Sequence, residues 1–147
     1  MERLDKSQKQ YTQKITLMSR YNKKRLLENK SNRLMPLINV KISSSAIPNA
    51  NELLKELSTE LANLTMKPEK YVMSLLQTDV SMTFGGTEDP CCYVEIKSIG
   101  ALRPNEMTHS FCKLIESKTG IPANRIYIGF EDVAPSQWGF NGKSFGQ

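Results

Sequence analysis

Two features of the sequence could indicate a catalytic or phosphate-binding site, namely a histidine and a Gly-Lys-Ser segment. His109 is the only histidine. It has no companion residues for a metal site or a catalytic triad, so we predict that it lies at the surface or on a helix face. Gly142-Lys143-Ser144 resembles the end of a phosphate-binding loop, but Gln137 stands where that loop requires glycine. Neither feature predicts chemistry, and we expect no metal and no cofactor.

The cysteines and the hydropathy pattern bear on the compartment. Three cysteines, two of them adjacent (Cys91 and Cys92, with Cys112), make a poor disulfide framework and indicate a reducing environment. Residues 1–34 lack the apolar centre of a secretory signal. No stretch approaches the roughly 20 apolar residues of a membrane span, so we expect no membrane partner. The expected location is the cytoplasm, or release without a signal peptide.

Strand and helix patterns alternate along the chain. Residues 37–42, 71–76, 92–99 and 125–130 predict strands by their apolar, β-branched and alternating character. One helix is predicted between the first two strands, ending before Lys67-Pro68, and a second from Pro104 to Gly120. Each helix has one apolar face, formed by Leu53, Leu54, Leu57, Leu61 and Leu64 in the first and by Met107, Phe111, Leu114 and Ile115 in the second.

This order predicts an α+β fold made of duplicated β-α-β units. Two parallel units with right-handed crossovers give a four-stranded mixed sheet with two helices on one face. We expect the other face to be apolar as well, through Ile38, Val40, Val72 and Val94. Within one such domain nothing is left to cover that face, so the pattern predicts that other subunits do.

Charge divides the chain in two. Residues 1–34 carry ten Lys/Arg and three Asp/Glu, whereas the remainder carries ten and twelve. We therefore predict a basic N-terminal extension, residues 1–35, which is disordered or absent from the mature chain, and a folded domain, residues 36–147. A marginal helix, or an arm that binds nucleic acid or an anionic surface, is the alternative for the extension; nucleic acid is not the partner we expect.

Six motifs in order indicate a family. They are the segments Met35-Pro36-Leu37-Ile38, Lys67-Pro68 with Tyr71, Phe84-Gly85-Gly86 with Pro90-Cys91, Ser98-Ile99-Gly100, Arg125-Ile126-Tyr127-Ile128 and Gly139-Phe140-Asn141-Gly142-Lys143-Ser144-Phe145. Through these segments, residues 36–147 resemble the macrophage migration inhibitory factor and D-dopachrome tautomerase family.

The resemblance implies a trimeric tautomerase-type barrel with active sites between subunits. Its activity would be keto–enol tautomerisation of arylpyruvates such as phenylpyruvate, with Pro36 as general base and Lys67 as the second catalytic residue. A proline nitrogen is basic only when it is the chain's first, and burial beside a cation lowers its pKa toward neutrality. The substrate-binding residues would be Ser98, Ile99 (through its N–H), Tyr127 of the neighbouring subunit, Phe140 and Phe145.

Without the resemblance, the same residues have ordinary structural roles. Pro36 would start a strand, Lys67 would neutralise a helix end, and Tyr127 and Phe145 would be core aromatics. The sequence also departs from the family pattern. Val94 replaces the second cysteine of a Cys-x-x-Cys pair, Gly129 replaces an asparagine, and Phe140 stands where tryptophan is expected, with Trp138 two residues earlier. These departures put the preferred substrate in doubt.

Pro36 is internal in the chain as written, which conflicts with its role as a base. Three explanations remain open: Met35 is the true start and is removed, residues 1–35 are cleaved later, or the extension is permanent. In the last case the trimer would be a non-catalytic binding or cytokine-like signalling protein, which is the alternative function.

Overall fold

The computed structural model describes residues 5–31, 35–45 and 47–146, and these fall into two compact units, 1–32 and 33–147. The first unit is a single helix, α1 (Lys6–Ser31). Residues 5–31 contain neither glycine nor proline, so nothing in the sequence interrupts a helix. We predicted that residues 1–35 are disordered or absent from the mature chain, and this stays a prediction. Residues 1–4 and 32–34 lie outside the described part.

Helix α1 has no buried side chain among those described. Apolar residues along it are largely exposed, including Tyr11 at 69% and Leu17 at 65%. Within the described ranges, no helix is both long and apolar enough to cross a membrane.

The second unit contains two β-α-β units of similar layout. The first comprises β1 (Leu37–Ile42), α2 (Ala50–Thr65) and β2 (Met73–Gln77), and the second β3 (Cys92–Ser98), α3 (Pro104–Thr119) and β4 (Ile126–Asp132). The strands form one mixed sheet in the order β2-β1-β3-β4, with β1 antiparallel to β3 and both outer pairs parallel. The predicted α+β fold with duplicated units is confirmed.

Both helices follow the sequence signals closely. Leucines at three- and four-residue spacing put Leu53, Leu57 and Leu61 of α2 in the core, each at most 1% exposed. Helix α3 starts at Pro104, whose missing N–H costs nothing in the first turn. It ends at Gly120, which adopts the left-handed φ of 75° that glycine accommodates without strain.

The predicted composition of the sheet's second face was wrong. Ile38, Val40 and Val94 are fully buried beneath the helices, and Val72 packs against the same core. Because side chains alternate along a strand, the opposite face carries the residues between them. That outer face combines apolar and polar side chains, namely Leu37, Asn39, Lys41, Met73, Leu75, Tyr93, Glu95, Lys97, Tyr127, Gly129 and Glu131.

The C-terminal segment adds a short hairpin, β5 (Gly139–Phe140) and β6 (Lys143–Ser144), which the strand prediction did not include. The loop before β3 is fastened by Arg125. Its guanidinium donates to the carbonyl oxygens of Phe84, Asp89 and Pro90 at 2.8–3.2 Å. Three carbonyl acceptors suit the planar fork of arginine donors, and they fix this loop against the start of β4.

Candidate functional site

Lys67 is turned inward by the way α2 ends. Met66 adopts the left-handed conformation (φ 55°), and the N–H of Lys67 then bonds to the carbonyl of Ala62 at 3.1 Å. This tight reversal resembles the common left-handed helix ending, although it uses methionine in place of glycine. The lysine side chain that follows is only 5% exposed.

The Lys67 ammonium is held by neutral oxygen atoms. It donates to the carbonyl oxygen of Ile99 at 2.9 Å and to Ser98 Oγ at 3.2 Å. These bonds use two of the three ammonium donors. Among the residues described, no carboxylate lies within salt-bridge distance of it. A buried cation with a donor to spare is suited to an anionic ligand.

Burial and a nearby carboxylate shift the pKa of Lys67 in opposite directions. Desolvation lowers its pKa, because the charged form loses hydration, and the negative charge of Asp132 partly offsets this by raising it. The net pKa is below the ordinary lysine value.

Pro36 lies on the other side of Ser98. It is buried at the entry to β1, and its carbonyl oxygen accepts the N–H of Met73 at 3.1 Å. The antiparallel register of β1 with β3, continued by one residue, sets Pro36 opposite Ser98. Ser98 is therefore the common neighbour of Pro36 and Lys67, so the structure brings the two predicted catalytic residues to one end of the sheet.

An aromatic group is connected to this end. The Phe140 and Phe145 rings stack with centroids 6.0 Å apart, and Phe140 meets the edge of Tyr71 at 6.5 Å. Tyr71 closes the 3₁₀ turn Glu69–Tyr71, which follows Lys67-Pro68 directly. We did not predict Tyr71 as a site residue, although its position four residues after Lys67 was a signal.

Tyr127 is not part of this group within one chain. It pairs with Tyr93 near the start of β3, five residues before Ser98, which corresponds to about 16 Å along the strand. Its side chain is 67% exposed, and its ring packs on that of Phe84 at 4.6 Å. An exposed tyrosine on the edge strand can reach another chain more readily than its own Lys67.

The remaining sequence features do not form a second centre. His109 is exposed on α3, and Lys143 and Ser144 belong to the C-terminal hairpin, with no helix after them in the described chain. In the described ranges, no three metal-ligating side chains converge. A polar groove of about 850 Å³ includes Ser43, Asp79 and Glu88 in its lining but none of the predicted site residues.

Comparison with known proteins identifies the family of this chain. The family model described as macrophage migration inhibitory factor (MIF) matches residues 35–146. A macrophage migration inhibitory factor homolog of Brugia malayi is 38% identical over 112 residues, covering 74% of this chain and 96% of the relative. The Xenopus tropicalis macrophage migration inhibitory factor is 38% identical over 96 residues, covering 63% of this chain and 84% of the relative.

Solved structures agree with the sequence relatives. A macrophage migration inhibitory factor homologue from Prochlorococcus marinus has a TM-score of 0.72 and 56% identity, covering 75% of this chain and 99% of that one. The macrophage migration inhibitory factor from Trichinella spiralis has a TM-score of 0.69 and 27% identity, covering 74% of this chain and 98% of that one. The chain belongs to the macrophage migration inhibitory factor family, and this membership supports isomerase-type, tautomerase activity in general.

Proposed function

We propose that the unit starting at Pro36 is a trimeric phenylpyruvate-type tautomerase whose base is a free N-terminal Pro36. The observation that carries this proposal is the meeting of Pro36, Ser98 and the buried Lys67 at one end of the sheet. The relatives support a catalytic unit of this size, since the match covers 96% of the Brugia malayi protein but 74% of this chain.

The chemistry requires a proton to leave the carbon next to the ketone and another to reach the ketone oxygen. The free amine of Pro36 would take the first proton, giving an enolate that solvent protonates on oxygen. The nearby Lys67 cation and the buried position both favour the neutral amine, which is the form that acts as a base. The unused donor of Lys67 would bind the substrate carboxylate or enolate oxygen. Phe140 and Phe145 would contact an aryl ring.

Other subunits would complete the site. Met73 is 50% exposed and Tyr127 67% exposed, on a sheet face that the described residues of the second unit leave without a covering layer. β2 and β4 are edge strands of the described sheet, and such edges readily pair with or pack on another chain. We propose that two further copies cover this face and that Tyr127 enters the neighbour's site.

A non-catalytic trimer is the second candidate, and one observation favours it. In the chain as written the Pro36 nitrogen is bonded to Met35; it is then an amide and has no basic lone pair. If residues 1–35 remain attached, binding of ligands or protein partners would be the only function left to this site, as in a signalling protein.

The test of the base is Pro36→Ala in a chain that starts at residue 36. We expect kcat/KM for phenylpyruvate to fall by about 10²-fold or more, the usual contribution of a general base. Pro104→Ala, at the exposed start of α3, is the matched control and should keep activity. If the Pro36→Ala protein were as active as the parent, proline would not be the base.

A further inference from the structure

One peptide group lies between a cation and an anion. The carbonyl oxygen of Ile99 accepts a hydrogen bond from Lys67 Nζ at 2.9 Å. The N–H of the same peptide unit, that of Gly100, donates to Asp132 Oδ1, also at 2.9 Å. Both charges are aligned with the peptide dipole, and rotation of this peptide would break both bonds at once.

The segment that contains this peptide has unusual backbone geometry. Gly100 and Ala101 both have positive φ, 69° and 59°, and for alanine this conformation costs on the order of 1–2 kcal/mol. The end of β4 holds the segment at two points, through the bond to Asp132 and through Val133 N–H to the carbonyl of Ser98 at 2.9 Å. Strained segments held in this way occur most often at functional sites.

We propose that Asp132 is a positioning residue, which fixes the Ile99–Gly100 peptide so that Lys67 keeps its remaining donor aimed at an anionic keto acid. The inference rests on the proposed function and adds a residue to it. Asp132 itself does not touch the substrate. It acts through the peptide, and its charge also helps to keep the buried lysine protonated.

Two substitutions separate the parts of this role. Asp132→Asn keeps an oxygen that accepts from Gly100, whereas Asp132→Ala removes the acceptor. Glu131→Ala is the matched control, since Glu131 lies next to it on β4, faces the other side of the sheet and pairs with Lys97 at 3.2 Å. The first readout, taken by NMR without ligand, is the rate at which the Lys67 ammonium hydrogens exchange with water.

We expect Asp132→Ala to speed this exchange by about tenfold or more, the change that loss of one hydrogen bond to a charged group produces, while Asp132→Asn and Glu131→Ala stay within about threefold of the parent. Unchanged exchange in Asp132→Ala overturns the inference. Equal acceleration in the asparagine and alanine variants also overturns it, because the hydrogen bond from the Gly100 N–H would then not be the cause.

The second readout is the ratio of kcat/KM for phenylpyruvate to that for its methyl ester, in chains starting at Pro36. Only the acid can pair with Lys67, so Asp132→Ala should lower this ratio, whereas general loosening of the fold would lower both rates alike. An unaltered ratio, with the parent active on both compounds, counts against the inference. Altered exchange in a protein whose parent chain has no activity would leave Asp132's positioning role intact and contradict only the proposed function.

Discussion

The ammonium of Lys67 lies 3.2 Å from the hydroxyl oxygen of Ser98, and this contact joins the two β-α-β units. Lys67 follows the helix of the first unit, and Ser98 ends the first strand of the second. Ser98 is completely buried, and Lys67 is almost so. The candidate site is therefore formed where the two halves of the duplication meet, and it depends on both.

Lys67→Met tests whether the buried cation has a functional role. Methionine has a similar shape and no charge, so the free energy of unfolding should not fall, since an unpaired buried ammonium is itself costly. We expect kcat/KM for phenylpyruvate to fall by about 10²-fold, as for loss of one oxyanion donor. Enzyme assay and urea unfolding measure the two effects.

Lys118→Met is the control for this substitution. Lys118 pairs with Glu52 and Glu56 on the surface. Because exposed ion pairs contribute little to stability, its loss should change the free energy of unfolding little and leave activity unchanged. A Lys67→Met protein that keeps full activity, or one that unfolds, would show that the lysine is a structural residue.

Stability should depend on pH through Lys67. Its pKa in the folded protein is below the ordinary value of 10.5, so in the window between these values the unfolded chain binds more protons. The free energy of unfolding therefore rises with pH through this window. Urea unfolding of the parent and of Lys67→Met, from neutral pH up to about 10.5, isolates this contribution because every other group is shared.

We expect the free energy of unfolding of the parent to increase relative to that of Lys67→Met as the pH rises. Lys97 and Lys118, whose pKa values are raised by glutamates, contribute equally to both proteins and cancel. Parallel curves for the two proteins would mean that burial does not perturb Lys67.

A shared active site can be tested by mixing inactive subunits. Lys67→Met and Tyr127→Ala chains should each be impaired alone, in trimers that start at Pro36. If Tyr127 works in the neighbour's site, random mixing after unfolding restores about a quarter of the sites with both native residues. Tautomerase assays before and after mixing measure this recovery. No recovery in mixed trimers, verified by mass spectrometry, would place both residues in one chain's site or exclude a role for Tyr127.

Much of this architecture was predictable because local patterns and the final packing agree. The spacing of the α2 leucines correctly predicted the buried face of that helix, and Gly120 correctly predicted the end of α3. The face assignment of Ile38 and Val94 failed for a physical reason. A period of two separates the faces of a strand but does not say which one meets the helices when apolar residues such as Leu37 occur on both.

The candidate site could be predicted only in part from the sequence, for a different reason. Pro36, Lys67 and Ser98 were singled out through family motifs, and no local pattern puts residues so far apart in sequence beside one another. The bond from Gly100 to Asp132 depends on the register between β3 and β4, and the bond from Lys67 to Ile99 depends on where the end of α2 meets the end of β3. Such contacts follow from the folded sheet and not from spacing along the chain.

Met66 offers a test of the turn that presents Lys67. It is 82% exposed and has a φ of 55°, so glycine should relieve strain with little loss of packing. We expect Met66→Gly to raise the free energy of unfolding by about 0.5–1 kcal/mol, after the entropy cost of glycine. Met66→Ala, which keeps the strained conformation, should give no gain. A less stable glycine variant would contradict this account of the turn.

The most direct measurement is phenylpyruvate tautomerisation by two forms of the protein, the full chain and a chain that starts with a free Pro36. We predict activity only in the shorter form, because only there is the Pro36 nitrogen an amine. Mass spectrometry of both samples verifies the N-termini. Equal activity in a full chain shown to be intact would contradict proline as the base, and inactivity of both would favour the binding protein.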